Sequence, residues 1–325
     1  MQGKVPSEKS AEEVYVGIDV CKDWLDVCLH PDGRSLRVAN NKDGIRRLRR
    51  TLKPVRVRLV VMEATGKYHR LVQRTLHAAG LSVAVVNPLR ARLFAEACGQ
   101  LAKTDRLDAR LLAVLGASLQ PNETPPPSLF LETLKELVRA RESAVAEHVA
   151  LKNRLTATQA TFLKNELKRR LKALDTHVAR LEKEIFRQIK DDARLTRRYD
   201  ILMSIPGIGA VTAVNLLVEL DELGAYSGKA VTLLAGLAPI ACDTGQTSGQ
   251  RTIKGGRALA RRALYMSSLS AARYNPDLAI FYKRLIAKGK EAKVALTAVM
   301  RKLIVLANTL LKQDRIWSPI QPKHP

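Results

Sequence analysis

From Ser128 to Ile205 the chain contains neither glycine nor proline. Those two residues are the strongest local punctuators of secondary structure, so a stretch this long without them reads as helix. Leu171, Leu174, Val178, Leu181 and Ile185 alternate spacings of three and four, a short heptad seam. Leu134, Leu137, Leu151 and Leu155 begin a similar pattern. The register weakens around TATQAT, 156–161. The expectation is a long helical arm, either continuous or a hairpin that reverses there; a plain amphipathic bundle is the alternative. The segment PNETPPPS, 121–128, precedes the arm and reads as a linker.

Ahead of the linker the pattern changes to short β-branched runs. VYVGIDV (14–20), WLDVCLH (24–30) and SLRVAN (35–40), with PDGR as a turn, form a β-meander signal. Residues 42–53 have helical spacing through Ile45, Leu48 and Leu52. RLVVM (58–62) is a buried strand, and a helix over 67–79 is closed by Gly80. LSVAVV (81–86) is a strand ending at Asn87-Pro88. One helix then runs to about Cys98 and another starts at Thr104. The order β-β-β-α-β-α-β-α-α predicts a mixed sheet flanked by helices.

Behind the arm, SIPGIGAVTAVNLL (204–217) places two glycines in a tight turn between apolar helices. It reads either as a helix-hairpin-helix, whose turn offers N–H groups to phosphate, or as a plain helix connection. A loop rich in Gly, Thr and Ser follows at 243–257, then two helical stretches to about 313.

Lys and Arg total 55 against 31 Asp and Glu, a net charge of +24 spread along the whole chain of 325 residues. A balance this basic points to a polyanion, with an anionic membrane surface as the competitor. Aromatics are only 4%, so base-stacking platforms are not expected to dominate. No window reaches 18 apolar residues and the N-terminus lacks a signal-peptide core, so a cytoplasmic protein without membrane contact is expected. Cys21, Cys28, Cys98 and Cys242 form no metal-ligand spacing and read as reduced thiols.

Against that background four acids stand out. Asp19 lies in the first strand and Glu63 directly follows the strand RLVVM. Asp105 and Asp108 lie one turn apart at the start of a helix, among Lys103, Arg106 and Arg110. Such acids can converge at one sheet edge, where they repel unless divalent cations sit among them. Hard cations take oxygen ligands, and paired ions serve phosphoryl transfer. Ordinary first-turn acids on a solvated helix are the bland reading. Asp23 and Asp26 alternate with hydrophobics and read as strand-surface residues.

The strand order with this carboxylate set resembles the RuvC-like, ribonuclease-H-type nuclease fold. YVGIDV, MEATGKY, VVNP and KTDRLDAR are similar to the N-terminal half of DEDD-type insertion-sequence transposases, the insertion sequence 110 family. SIPGIG, AGLAPI (235–240), RTIKGGR (251–257), RRALYM (261–266) and RYNP (273–276) extend the resemblance to about 15–310, and their spacing is most similar to the 1111 subgroup. The resemblance implies an α/β plus α architecture: a RuvC-like domain over 1–120, a coiled-coil arm over 129–199 and a mainly α transposase domain over 200–325. It implies an RNA-guided DNA recombinase whose bridge or seeker RNA pairs with donor and target DNA. It also implies Mg2+ at Asp19, Glu63, Asp105 and Asp108, with Mn2+ as an alternative, and a homo-oligomer in which two dimers form a tetrameric synapse.

In the family a C-terminal serine is thought to attack the phosphodiester and hold the DNA covalently. The usual Asp-Ser-Gly is here Asp243-Thr244-Gly245, which puts Thr244 at the nucleophile position. Thr244 reads as the natural nucleophile, as a substitution that slows attack through its extra methyl, or as a residue displaced by Ser248. A loop threonine without chemistry is the bland reading. Lys103, Arg251, Lys254, Arg257, Arg261 and Arg262 read as phosphate contacts, or as solvated basic surface. Arg46, Arg47, Arg49 and Arg50 read either as an RNA grip or as the polar face of a helix over the sheet. Two other functions fit the same residues: a hydrolytic, metal-dependent resolvase of branched DNA, and a non-catalytic nucleic-acid scaffold.

Overall fold

The computed structural model describes residues 13–100, 105–241, Asp243, Gly245, Gly249 and 251–319, with Asp105 and Arg106 described by backbone alone. The chain divides into two units at Pro127/Ser128.

The N-terminal unit is a mixed α/β layer. It comprises β1 (Val14–Val20), β2 (Trp24–His30), β3 (Ser35–Ala39), α1 (Lys42–Leu52), β4 (Val57–Glu63), α2 (His69–His77), β5 (Val83–Val86), α3 (Pro88–Ala97) and α4 (Asp105–Leu119). The strands lie in the order β3-β2-β1-β4-β5. The meander β1–β3 is antiparallel, and β4 and β5 run parallel to β1. Alternation then sends the strand residues to two faces. Val16, Ile18, Val60 and Met62 pack with Ile45, Leu48, Val72 and Leu76 of α1 and α2. Leu59, Val61, Ala84 and Val86 pack with Leu112 and Leu115 of α4. Helix α1 forms where expected because Asn41 caps it, its side chain accepting from the N–H groups of Asp43 and Gly44.

The predicted linker is docked rather than free. Thr124 N–H donates to the Val83 carbonyl at 2.8 Å, and its hydroxyl accepts from Val85 N–H at 3.2 Å. Gln73 Nε2 donates to the Thr124 carbonyl. These bonds cover the exposed edge of β5, which would otherwise present unpaired backbone groups.

Among its described residues the C-terminal unit is helical apart from one short ribbon. It begins with α5 (Leu129–Ala157) and α6 (Thr161–Asp191), so the arm does reverse at 158–160. Arg141–Glu182, Glu147–Arg170 and His148–Asp175 pair across the hairpin, an antiparallel register. Leu171, Leu174, Val178 and Leu181 are half-buried while the positions between them are exposed, as a seam against α5 requires. At the base of the hairpin, Leu134, Val138, Ile185 and Ile189 enter the core formed by the helices that follow.

Those are α7 (Ala193–Met203), α8 (Ala210–Glu219), α9 (Gly228–Leu234), α10 (Ala258–Tyr274), α11 (Pro276–Ala287) and α12 (Ala292–Lys312), with β6 (Pro239–Ile240) and β7 (Thr252–Ile253) between α9 and α10. The two helical stretches expected after the loop are three. Asn275 caps α11 through Leu278 N–H and Pro276 occupies its first turn, so the helix must restart there. Helix α12 is the one described helix long and apolar enough to cross a membrane, but Val299, Leu303, Ile304, Ala307 and Leu310 make it the centre of this core.

Candidate active site

Three of the four singled-out acids can be followed by their side chains. In the β1–β4 register Ile18 lies opposite Met62, so Asp19 and Glu63 follow at the same level on neighbouring parallel strands. Both belong to the alternation class of Gly17 and Val61, which faces α4. Helix α4 lies unusually close to that face. A Cβ on Gly17 would meet the Ala109 carbonyl oxygen at 2.0 Å and the Ala113 nitrogen at 2.4 Å. Only glycine allows backbone to approach backbone so nearly. Asp108 immediately precedes Ala109, and it lines one cavity of about 670 Å3 together with Glu63. Arg92, Glu96 and Gln100 line the same cavity.

The donor set is carboxylate oxygen, which suits a hard divalent cation. Among the described residues, however, no group of three or more His, Cys, Asp or Glu side chains is gathered tightly enough to hold a metal ion. The side chain of Asp105 and the whole of Lys103 lie outside the described residues. Asp105 begins α4, one turn before Asp108.

Asp26 is not the strand-surface residue expected. It is 3% exposed and sits directly opposite Asp19 across β1 and β2. On its other side Arg37 of β3 lies directly opposite, donating from Nε at 2.8 Å and from the terminal guanidinium nitrogen at 2.7 Å. The fork-to-fork pair neutralises a carboxylate that burial alone would disfavour. The register that pairs them is centred on Pro31-Asp32; counting outward from the whole PDGR turn would put Ala39 opposite Asp26 instead, so the sequence did not give this pair away.

The second candidate region is the loop between β6 and β7. The strands pair Pro239 with Ile253 and Ile240 with Thr252, bringing both ends of the loop together. Asp243 closes it further, accepting from Gly249 N–H at 3.1 Å and from Arg251 at 2.8 Å. Thr244, Ser248 and Cys242 lie outside the described residues. The AGLAPI and KGGR segments meet where Gly256 packs on Gly236. A Cβ on Gly256 would come within 2.2 Å of the Gly236 nitrogen.

The basic residues after the loop divide by their surroundings. Arg257, read as a phosphate contact, is instead an internal strut. Its guanidinium grips both oxygens of Glu222 at 2.6 and 2.5 Å and also donates to the Glu219 carbonyl. Burial pushes Glu222 up, but hydrogen bonds from Arg257 and Asp221 outweigh it and hold the carboxyl at about 2. Asp221 is pushed up by burial and by its neighbour Glu222. Arg251 is tied to Asp243, and Arg261 donates to the Gly255 carbonyl. Arg262 lies 3.9 Å from Glu142, and Lys254 is exposed. The turn between α7 and α8 is pinned by Asn275, which donates to the Pro206 carbonyl, and leaves Gly209 and Ala210 exposed.

Residues 16–164 match the family model of the DEDD transposase of IS110, and residues 199–283 match that of the transposase IS116/IS110/IS902 family. The pilin gene-inverting proteins of Moraxella bovis and Moraxella lacunata are each 29% identical over 314 residues, covering 93% of this chain and 97% of theirs. An uncharacterized 44.8 kDa protein of insertion element IS116 from Streptomyces clavuligerus is 27% identical over 187 residues, 57% of this chain and 45% of that one. The two matched segments bracket both candidate regions, the carboxylates of the sheet and the β6–β7 loop, and the chain belongs to the IS110 family of transposases, enzymes that recombine DNA.

Proposed function

We propose that this enzyme cuts and rejoins DNA strands at sites chosen by a guide RNA, using the carboxylates of a RuvC-like domain and a hydroxyl of the β6–β7 loop. The observation that carries the reading is the shared cavity of Glu63 and Asp108, with Asp19 level with Glu63 on the same sheet face. By analogy with the pilin gene-inverting relatives, the reaction is an exchange of strands between two DNA sites.

Asp19, Glu63 and Asp108, together with Asp105, would hold Mg2+, or Mn2+ in its place. The three alone fall short of a ligand group among the described residues, so the reading requires Asp105 to complete it. The ion, when bound, supplies positive charge to a phosphodiester and its leaving oxygen. Thr244 Oγ1 forms a bond to phosphorus as one P–O bond of the strand breaks, and its proton ends on the leaving oxygen. The reverse step restores the hydroxyl and rejoins DNA without loss of the phosphodiester. Asp243, the sequence neighbour of Thr244, ties the loop to Gly249 and Arg251. Lys254 and the exposed arginines contact phosphates, while base pairing with the RNA reads sequence. The α5–α6 hairpin joins protomers, and two dimers form the synapse.

The test is a search for a covalent protein–DNA adduct. The protein, and its Thr244→Ser and Ser248→Ala variants, are mixed with RNA transcribed from the flanking DNA, labelled donor and target duplexes, and Mg2+. An adduct mapped to Thr244, retained in Ser248→Ala, supports the reading. An adduct on Ser248 reassigns the nucleophile, and an adduct formed only by Thr244→Ser marks the threonine as a slowing substitution. Free cleavage products with no adduct overturn the covalent step in favour of hydrolysis. Asp19→Asn that leaves all strand cleavage intact overturns the carboxylate site.

A further inference from the structure

Within the C-terminal unit a cleft of about 1170 Å3 opens between α11, α12 and the β6–β7 ribbon. Its walls are apolar, with Leu278 and Phe281 from α11, Val305 from α12 and Leu237 ahead of β6. Its lining carries four cations, Arg251, Arg284, Arg301 and Lys302, against one acid, Asp277. Lys302 Nζ stands 4.8 Å from the centre of the Phe281 ring and the Arg284 guanidinium 5.5 Å from it. Among the described residues, Arg284, Arg301 and Lys302 pair with no carboxylate.

An apolar cleft with a cationic rim suits a planar apolar body joined to an anion, the chemistry of a nucleotide. Bases offer a face that aromatic and apolar side chains accept regardless of sequence, and the attached phosphate meets the cations. The volume is ample for one nucleoside. The cleft is also continuous with the loop. Arg251 lines it and at the same time holds Asp243, the neighbour of Thr244. A partner peptide would have to bring acidic residues to match the same rim.

We infer that this cleft receives one unstacked nucleobase of the strand bound at the β6–β7 loop, with Arg284, Arg301 and Lys302 on the flanking phosphates. Enzymes that do chemistry on a base take it out of its stack into a pocket of this kind, and a cleft that only positions a strand can hold a base by the same contacts. Here the captured base would fix the strand's register beside the loop. The inference rests on the reading that nucleic acid lies at this loop, but not on the metal or the covalent step.

Photocrosslinking tests it without chemistry. The full chain in EDTA is irradiated with short single-stranded DNA carrying 5-iododeoxyuridine, and separately with RNA of the same sequence carrying 5-iodouridine, and the adducts are mapped to peptides. We expect crosslinks on Phe281 or its α11 neighbours. Ala298→Trp, which fills the cleft from α12, should lower their yield by roughly tenfold, the range of one base–aromatic contact. Ile280→Glu should lower it as well, from a side chain that is 70% exposed and tolerant of change. Arg301→Gln should reduce the salt dependence of binding by about one counterion. Crosslinking of DNA, RNA or both identifies the strand and supports the cleft in each case. Crosslinks confined to other peptides, or undiminished in both cleft variants, overturn it. A change in oligomeric state in Ala298→Trp with crosslinking unaltered would make the cleft a protein-docking groove and also overturn it. Loss of the covalent adduct in the earlier assay with crosslinking intact would strike the proposed chemistry alone.

Discussion

Gly17→Ala is the sharpest perturbation of the candidate carboxylate site. The new methyl would sit 2.0 Å from the Ala109 carbonyl oxygen, whereas ordinary contact begins at 3.4 Å. The helix must therefore retreat by about 1.4 Å (3.4 − 2.0) at that turn. The obstruction is helix backbone, so no side chain can rotate aside. Overpacking of this kind costs about 1–3 kcal/mol. Asp108 precedes Ala109 and moves with it, away from Glu63. A misplacement of about 1 Å at reacting groups can lower a rate roughly 100-fold. Two measurements separate the effects: thermal unfolding for the packing cost, and strand cleavage at a temperature where the variant is fully folded. The expected result is a modest loss of stability with a disproportionate loss of cleavage. A variant with wild-type cleavage would show that the distance between α4 and the sheet does not matter to the site and that Gly17 does not set its geometry.

Other outcomes follow from the charged pairs. Arg37→Gln leaves the buried Asp26 carboxylate without its fork and should destabilise the protein by about 2 kcal/mol, seen as a lower urea midpoint. Arg257→Gln should cost about 1.5–3 kcal/mol by the same reasoning and loosen the segment behind the β6–β7 loop, detectable as faster amide exchange at residues 254–258. Glu222 is held at about 2 against an ordinary 4.5, so its contribution is present above pH 4.5 and fades as pH falls toward 2. A Glu222→Gln protein should therefore show a flatter acid limb of stability in pH-dependent melting. Asp221 has the opposite sign: its pKa is raised, so ionisation above 3.8 costs stability. Asp221→Asn should be more stable than the parent at pH 7, a difference that vanishes at low pH.

What the sequence made legible was local. Strands appear where β-branched residues run together, and α1 and α3 start at Asn41 and Asn87 as helix caps predict. The hairpin reverses at 158–160, where the leucine register weakened. What stayed hidden needed a partner distant in the chain. Arg257 looks like a phosphate ligand until Glu222, on another helix connection, is found across from it. Leu134 and Ile189 look like arm residues until they meet the core of α7–α12. The break at Asn275–Pro276 is different, because its signal was present in the dipeptide itself, a cap followed by a first-turn proline.

The carboxylate site lies between these cases. Its candidate acids were legible because each lies at or near one end of a recognisable element, and the sheet register then puts Asp19 beside Glu63. Their distance from Asp108 is another matter. It depends on how near α4 comes to the sheet, which is set by the missing Cβ of Gly17, two residues before Asp19 on the same face. The same strand thus carries both an acid and the gap that lets a second acid approach it. Asp26 and Arg37 extend that logic sideways, since Arg37 offsets the charge of the carboxylate directly opposite Asp19. Charge at this edge of the sheet is therefore governed as much by Gly17 and Arg37, which carry no chemistry, as by the acids.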